Sequence, residues 1–160
     1  LCDTDCGIKW CNDVVLHGKK LCGILTESSL LPDGSAAWLV VGIGVNVGQA
    51  SFPPDIADMA TSLALQELDV SPDALADAIL AQLTAMRTVL TDPAEWLAEY
   101  RRRCVNLGRP VRVLRGNTVR QATALAIDEQ FGLTVQYENG ETETVRSGEV
   151  SVRGLYGYIE

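Results

Sequence analysis

Residues 37–47, AWLVVGIGVNV, restrict the chain more than any other stretch. The run falls short of the roughly 18 residues that a bilayer-crossing helix needs. It is rich in β-branched residues, so it reads as a strand covered on both faces. Gly42 and Gly44 interrupt it. Glycine weakens a strand interior, and it often stands there because a ligand or another backbone approaches closely; a bulge or tight packing is the alternative. Asn46 is a lone amide at the end of this apolar run. A buried amide must find partners: it is a satisfied turn amide, or a planar group that pairs with an adenine edge.

Two earlier stretches share this character. KLCGIL is an apolar strand led by Lys20 and interrupted by Gly23, and KWCND places Lys9 in a strand beside Trp10. Each lysine is either a solvated charge at a strand end or a ligand for an anion. Asn12 and Asp13 favour a turn between strands at Ile8–Trp10 and Val14–Leu16, with Asp13 as a turn cap. His17-Gly18 makes the next turn, a third strand follows over Leu21–Leu31, and Pro32-Asp33-Gly34-Ser35 turns the chain into the 37–47 strand.

Beyond the loop Gly48–Asp55 the period changes. Ile56, Met59, Ala60, Leu63 and Leu68 recur at roughly helical spacing. Ser71-Pro72 is a helix start, an N-cap followed by proline at the first helical position. Leu75, Ile79, Leu83, Met86 and Leu90 give that helix a core-facing stripe. Asp92-Pro93-Ala94-Glu95 opens a second helix with a capping box, with Trp96, Leu97, Tyr100 and Cys104 as its apolar face and an end near 106–108. From Pro110 the period is two: Val111 and Val113 flank Arg112. In the following strand Val119, Gln121, Thr123, Leu125 and Ile127 share one face, and Arg120 and three alanines the other. Leu133, Val135 and Tyr137 alternate with polar residues, and Asn139-Gly140 is a hairpin turn. With Val145, Val150 and Val152, about five short strands predict a small barrel. The fold class is therefore α/β (α+β): a mixed-sheet portion over 1–106, then a small all-β module over 108–160.

The charge narrows the partners. A net charge of −8 and a pI near 4.6 disfavour a nucleic-acid surface, and Arg101-Arg102-Arg103 reads as a solvated helix face. The five cysteines (Cys2, Cys6, Cys11, Cys22, Cys104) include no CxxC pair and the only histidine is His17, so no metal site is expected. Reduced thiols, no apolar membrane span and no signal peptide predict a cytoplasmic protein without a membrane partner.

Taken in order, KWCND, KKLCGILTE and VVGIGVNV resemble the signature blocks of the biotin–protein ligases: KWPND, then (R/K)KxxGIL-E, then GIGxN(V/I). The matching positions are Lys9, Trp10, Asn12 and Asp13; Lys19, Lys20, Gly23, Ile24, Leu25 and Glu27; and Gly42, Ile43, Gly44, Asn46 and Val47. Cys11 stands where that pattern most often has proline. The resemblance is to the second half of the family's catalytic domain plus its C-terminal SH3-like domain.

The resemblance implies an enzyme that activates biotin with Mg-ATP to biotinyl-5′-AMP and transfers biotin to a lysine of a biotin carboxyl carrier domain. It puts Lys20 against the biotin carboxylate and the adenylate phosphate, with Gly23, Ile24 and Leu25 in the biotin site. Lys9, Asn46, Gly42, Gly44 and the loop residue Phe52 fall on the nucleotide side. A homodimer through the sheet is a further expectation. The family's glycine- and arginine-rich biotin loop precedes KWPND, and no such stretch occurs in these 160 residues. The isolated chain is therefore expected not to biotinylate a carrier. A lipoate–protein ligase relative and a truncated nucleotide-binding or dimerisation module are the alternatives.

Overall fold

The computed structural model describes residues 4–86, 93–146 and 151–154. Cys2, Leu90, the Asp92 cap and Val150 lie outside them, as do the side chains of Glu95, the other half of the predicted capping box, and Val152. Strands β1 (Gly7–Lys9), β2 (Asp13–Leu16), β3 (Lys19–Leu30) and β4 (Ala36–Val45) form an antiparallel sheet in that order. His17 and Gly18 join β2 to β3 in a two-residue turn with φ of 48° and 77°. Positive φ at both positions suits the twist of a tight hairpin. Asp33 Oδ1 accepts the Ser35 amide proton at 2.9 Å, which closes the β3–β4 turn.

The 37–47 strand departs from expectation. β4 is an edge strand, and Trp38, Leu39, Val40 and Val41 are exposed. Among the described residues no layer covers this end of the hairpin. An apolar strand reports what a fold needs to bury, and the burying surface can lie elsewhere.

The helical spacing over 56–68 also yields something else: turns and one 3-10 turn at Ala64–Gln66. The backbone groups of this stretch bond across the fold. Met59 and Thr61 bracket Lys20, with Lys20 N–H donating to Met59 O at 2.8 Å and Thr61 N–H to Lys20 O at 2.9 Å. Leu63 and Ala64 donate to the carbonyls of Asn46 and Val47. These tertiary bonds replace the i→i−4 ladder that a helix requires.

Helix α1 (Pro72–Met86) starts where the sequence places it, with Ser71 Oγ accepting the Ala74 amide proton at 3.1 Å. It holds no buried residue and sits over an open apolar cavity of about 670 Å³, lined by Leu16, Leu21, Val45, Leu63, Leu75 and Ile79 among others. Helix α2 (Pro93–Arg103) buries Leu97 and half-buries Tyr100. It ends at Arg103, a few residues before the predicted stop.

Nor are the three arginines a simply solvated face. Arg101 donates twice to the Ile127 carbonyl, at 2.9 and 2.6 Å, while Arg102 and Arg103 pair with Glu99. Those pairs hold the Glu99 carboxyl far down, at about 2.

The second sheet is antiparallel, in the order β8-β7-β6-β5-β9. It is built from β5 (Pro110–Arg115), β6 (Thr118–Ile127), β7 (Leu133–Tyr137), β8 (Thr142–Val145) and β9 (Ser151–Gly154). On β6 the small face turns inward: Ala122 and Ala124 are buried, and Val119 and Leu125 are exposed. A register shift between Ala124 and Ala126 then brings Ile127 into the core. The core of this sheet also takes in Trp10, Leu97 and Cys104 from the first part of the chain.

Candidate active site

Residues directly opposite in antiparallel strands point to the same face. The pairings Lys9↔Asp13, Asp13↔Gly23 and Gly23↔Gly44 therefore form one row across all four strands of the first sheet. Leu25↔Gly42 lies two positions on, on the same face. The sequence-derived candidates Lys9, Gly23, Leu25, Gly42 and Gly44 thus converge. Ile24 points to the opposite face, paired with Ile43.

Lys20 reaches this face through a defect. In an unbroken strand, residues three apart lie on opposite faces. Lys20 and Gly23 would then be separated by the sheet. The β2–β3 register shifts between Val14 and Val15, so that Cys22 pairs with Val14 and Lys20 with Val15. Leu21 is the extra residue, and it packs with Leu16 and Leu63 in the opposite-face core. The bulge returns Lys20 to the face of Gly23.

The result is a lysine–aspartate–lysine triad. Lys20 Nζ lies 2.6 Å from Asp13 Oδ1, and Lys9 Nζ lies 3.3 Å from Asp13 Oδ2. Lys9 and Asp13 are buried, whereas the Lys20 side chain is 38% exposed. Burial pushes the Lys9 ammonium below its ordinary value, and the Asp13 charge opposes that shift only in part. Asp13, expected from the sequence as a turn cap, instead bridges the two lysines. The signal the sequence offers for it is its place in KWCND, four residues after Lys9 in a block that matches the family pattern.

Gly23 has a specific reason to lack a side chain. A Cβ there would stand 3.0 Å from Lys20 Nζ, 3.1 Å from its Cε and 3.5 Å from Asp13 Oδ1. The glycine makes room for the lysine to fold back onto the aspartate. At Gly42 and Gly44 the nearest atoms to such a Cβ are backbone oxygens at 3.7 and 3.9 Å, so these two leave a bare, open strip beside the triad.

Asn46 bonds within the chain: its Nδ2 donates to Thr61 O at 3.0 Å. Its backbone holds Leu21 on one side and Leu63 on the other. This closes the base of the loop that carries Phe52, itself half-buried. Lys19 Nζ ties the same loop through the Ala57 carbonyl at 3.2 Å. Asn12 spans to β3, donating to Ile24 O and accepting from Ile24 N–H. Glu27 is exposed on β3, opposite Val40.

Chemically, the arrangement offers two cations held on one buried carboxylate at the rim of a side-chain-free strip. Such a site can bind and neutralise an anionic group lying flat on the sheet.

Residues 2–46, which hold β1 to β4 and the triad, match the Biotin/lipoate A/B protein ligase family. Residues 107–153, which hold the second sheet, match the Biotin protein ligase C terminal domain. The chain is 36% identical over 152 residues to a biotin–[acetyl-CoA-carboxylase] ligase of Mycobacterium tuberculosis, covering 92% of this chain and 53% of that protein. It is 30% identical over 152 residues to the bifunctional ligase/repressor BirA of Escherichia coli, covering 91% of this chain and 46% of BirA. Among solved structures, the biotin protein ligase of Aquifex aeolicus superposes with a TM-score of 0.80 at 27% identity, over 96% of this chain and 67% of that one. The same ligase in complex with biotin and ATP superposes with a TM-score of 0.73 at 26% identity, over 96% and 64%. The chain thus spans about half the length of the curated relatives that it matches from end to end.

Proposed function

The chain belongs to the biotin protein ligase family, and on that premise we propose that it supplies the lysine-bearing wall of an adenylation site. The reaction proposed for the whole protein has two steps. The biotin carboxylate attacks the α-phosphate of Mg-ATP, forming biotinyl-5′-AMP and releasing pyrophosphate. The amine of a carrier-domain lysine then attacks the acyl carbon, and AMP leaves.

The first step brings two anions together, so fixed positive charge beside the forming bond lowers its barrier. The observation that carries this reading is the Lys9–Asp13–Lys20 row beside the strip at Gly42 and Gly44. Lys20 is the partly exposed member, and an ammonium has three donors. One engages Asp13, which leaves the others for the biotin carboxylate and α-phosphate. Lys9, buried behind it, serves the nucleotide side. Leu25 walls the strip on that face, and Phe52 in the loop after Asn46 is the apolar residue that covers the adenylate. The Asn46 amide nitrogen is committed to Thr61, so reading an adenine amino group falls to its carbonyl oxygen.

In the whole protein the acceptor is a biotin carboxyl carrier domain, the location is cytoplasmic, and the exposed β4 edge pairs two copies. The 160 residues alone do not biotinylate a carrier, because they contain no glycine- and arginine-rich biotin loop.

Two measurements test this. Calorimetry with ATP and with a non-hydrolysable biotinyl-adenylate mimic compares the chain with Lys9→Ala and Lys20→Ala; both variants are expected to bind more weakly. Binding of neither ligand by the unaltered chain would sink the reading. In the full-length protein, transfer of labelled biotin is expected over lipoate, and a preference for lipoate would reassign the substrate.

A further inference from the structure

Lys9 is fixed from both sides by one short segment of the chain. The residue before it, Ile8, accepts the Val105 amide proton at 2.9 Å and forms a parallel bridge with Cys104. The residue after it, Trp10, donates its backbone N–H to Oδ1 of Asn106 at 2.6 Å. Asn106 is a buried amide, 4% exposed, at the point where the chain leaves α2 for the second sheet.

The second sheet grips the same turn. The Trp10 indole enters that sheet's core and donates Nε1–H to Phe131 O at 2.8 Å. Phe131 has φ of 60°, a left-handed conformation that a bulky residue rarely adopts. An outlier of this kind persists where its surroundings over-determine it, and it marks a place to look for function. Asp128 provides the support: its Oδ1 accepts the amide protons of Gln130 and Gly132, and Arg146 pairs with its Oδ2 at 2.8 Å. The Phe131 ring meets the Tyr100 ring edge-on, with centroids 5.3 Å apart, and the Tyr100 hydroxyl donates to Cys11 O at 3.0 Å. The contacts close a circuit from Trp10 through Phe131 and Tyr100 back to Cys11.

We propose that Asn106 and Phe131 are positioning residues for Lys9, so that the second sheet works as a clamp on the nucleotide side of the site. The inference rests on the adenylation reading for its functional consequence. Its structural half, the placement of Lys9, stands apart from that reading. A lysine that must neutralise developing charge has to be held within a fraction of an ångström, and support from packed neighbours provides that.

The experiment uses the full 160-residue chain with two conservative changes. Asn106→Leu removes the acceptor at nearly constant volume, and Trp10→Phe keeps an aromatic while deleting the indole N–H. Lysine-selective NMR follows the titration of Lys9, assigned by the signal lost in Lys9→Met, and calorimetry follows non-hydrolysable ATP. With the clamp released, Lys9 gains water. Its pKa is expected to rise toward the ordinary 10.5 in both variants, and ATP binding is expected to weaken about tenfold. If either variant folds with wild-type NMR dispersion and leaves the Lys9 titration unchanged, the clamp is overturned. A moved titration in a chain whose unaltered form binds no ATP upholds the clamp and refutes the adenylation reading instead.

Discussion

Replacing Asp13 by asparagine removes the charge that both lysines share. The Lys9 contact sets the size of the effect, because the side chains of Lys9 and Asp13 are only 9% and 11% exposed and lie 3.3 Å apart. At an effective dielectric constant near 20, two unit charges at that separation attract by about 5 kcal/mol. Breaking a buried pair by deleting one partner costs about 3–5 kcal/mol, because the other charge stays buried without compensation. The cost has a ceiling: Lys9 can shed its proton, which at neutral pH takes about 5 kcal/mol from the ordinary lysine value. The Lys20 contact adds at most about 1 kcal/mol, since that side chain is 38% exposed and solvent screens it. Asparagine keeps an oxygen for the Lys9 ammonium, so the expected loss is near the lower end, about 3 kcal/mol at neutral pH. For a domain stabilised by about 5–15 kcal/mol this is a large fraction.

Urea unfolding of the chain and of Asp13→Asn measures the loss. A companion Lys9→Met/Asp13→Asn variant, from which the buried charge has gone, is expected to recover part of it. The sign of the pH dependence follows from the Lys9 shift. A lysine whose folded pKa lies below 10.5 destabilises the fold while it is charged, and that penalty fades as the pH rises from the folded pKa toward 10.5. The gap between Asp13→Asn and the unaltered chain should therefore narrow in alkali. A loss below about 0.5 kcal/mol, the scatter of ordinary surface changes, or no recovery in the double variant, would refute the reasoning.

Three other outcomes follow from the same geometry. Gly23→Ala places a methyl 3.0 Å from Lys20 Nζ and should push the lysine off Asp13, weakening binding of a biotinyl-adenylate mimic by calorimetry. Gly42→Ala and Gly44→Ala meet only ordinary contacts, so their melting temperatures should stay near that of the unaltered chain while the same mimic binds less well to the filled strip. Glu99 titrates at about 2 because Arg102 and Arg103 hold it ionised; its stabilising effect is full above pH 4.5 and is lost as the pH falls toward 2. Acid unfolding monitored by circular dichroism should show a shallower decline over that range in Glu99→Gln.

Much of the fold was legible because local chemistry dictates it. His17-Gly18, Pro32–Ser35 and Asn139-Gly140 turn where their residues favour turning. Ser71-Pro72 starts a helix, and alternation along residues 133–137 buries Leu133, Val135 and Tyr137. The stretch 56–68 misled because apolar spacing was its only signal, and backbone partners on β3 and at residues 46–47 outweigh spacing. Residues 37–47 misled in the opposite way, since a strand's composition records what must be covered and leaves open what covers it.

The sequence by itself determined the chemistry available to the site: two lysines, an aspartate between them and three glycines, in blocks whose order resembles one family. Tertiary structure alone decided that these groups meet. A one-residue bulge at Leu21 puts Lys20 on the face of Asp13, and which face a strand residue occupies depends on pairing register, a property of two strands together. Contacts across 96 and 121 residues seat Trp10 against Asn106 and Phe131, and separations of that length leave no local pattern to read. Burial fixed the roles: Asp13 became the hub of the triad because folding removed it and Lys9 from water together, where each needs the other's charge.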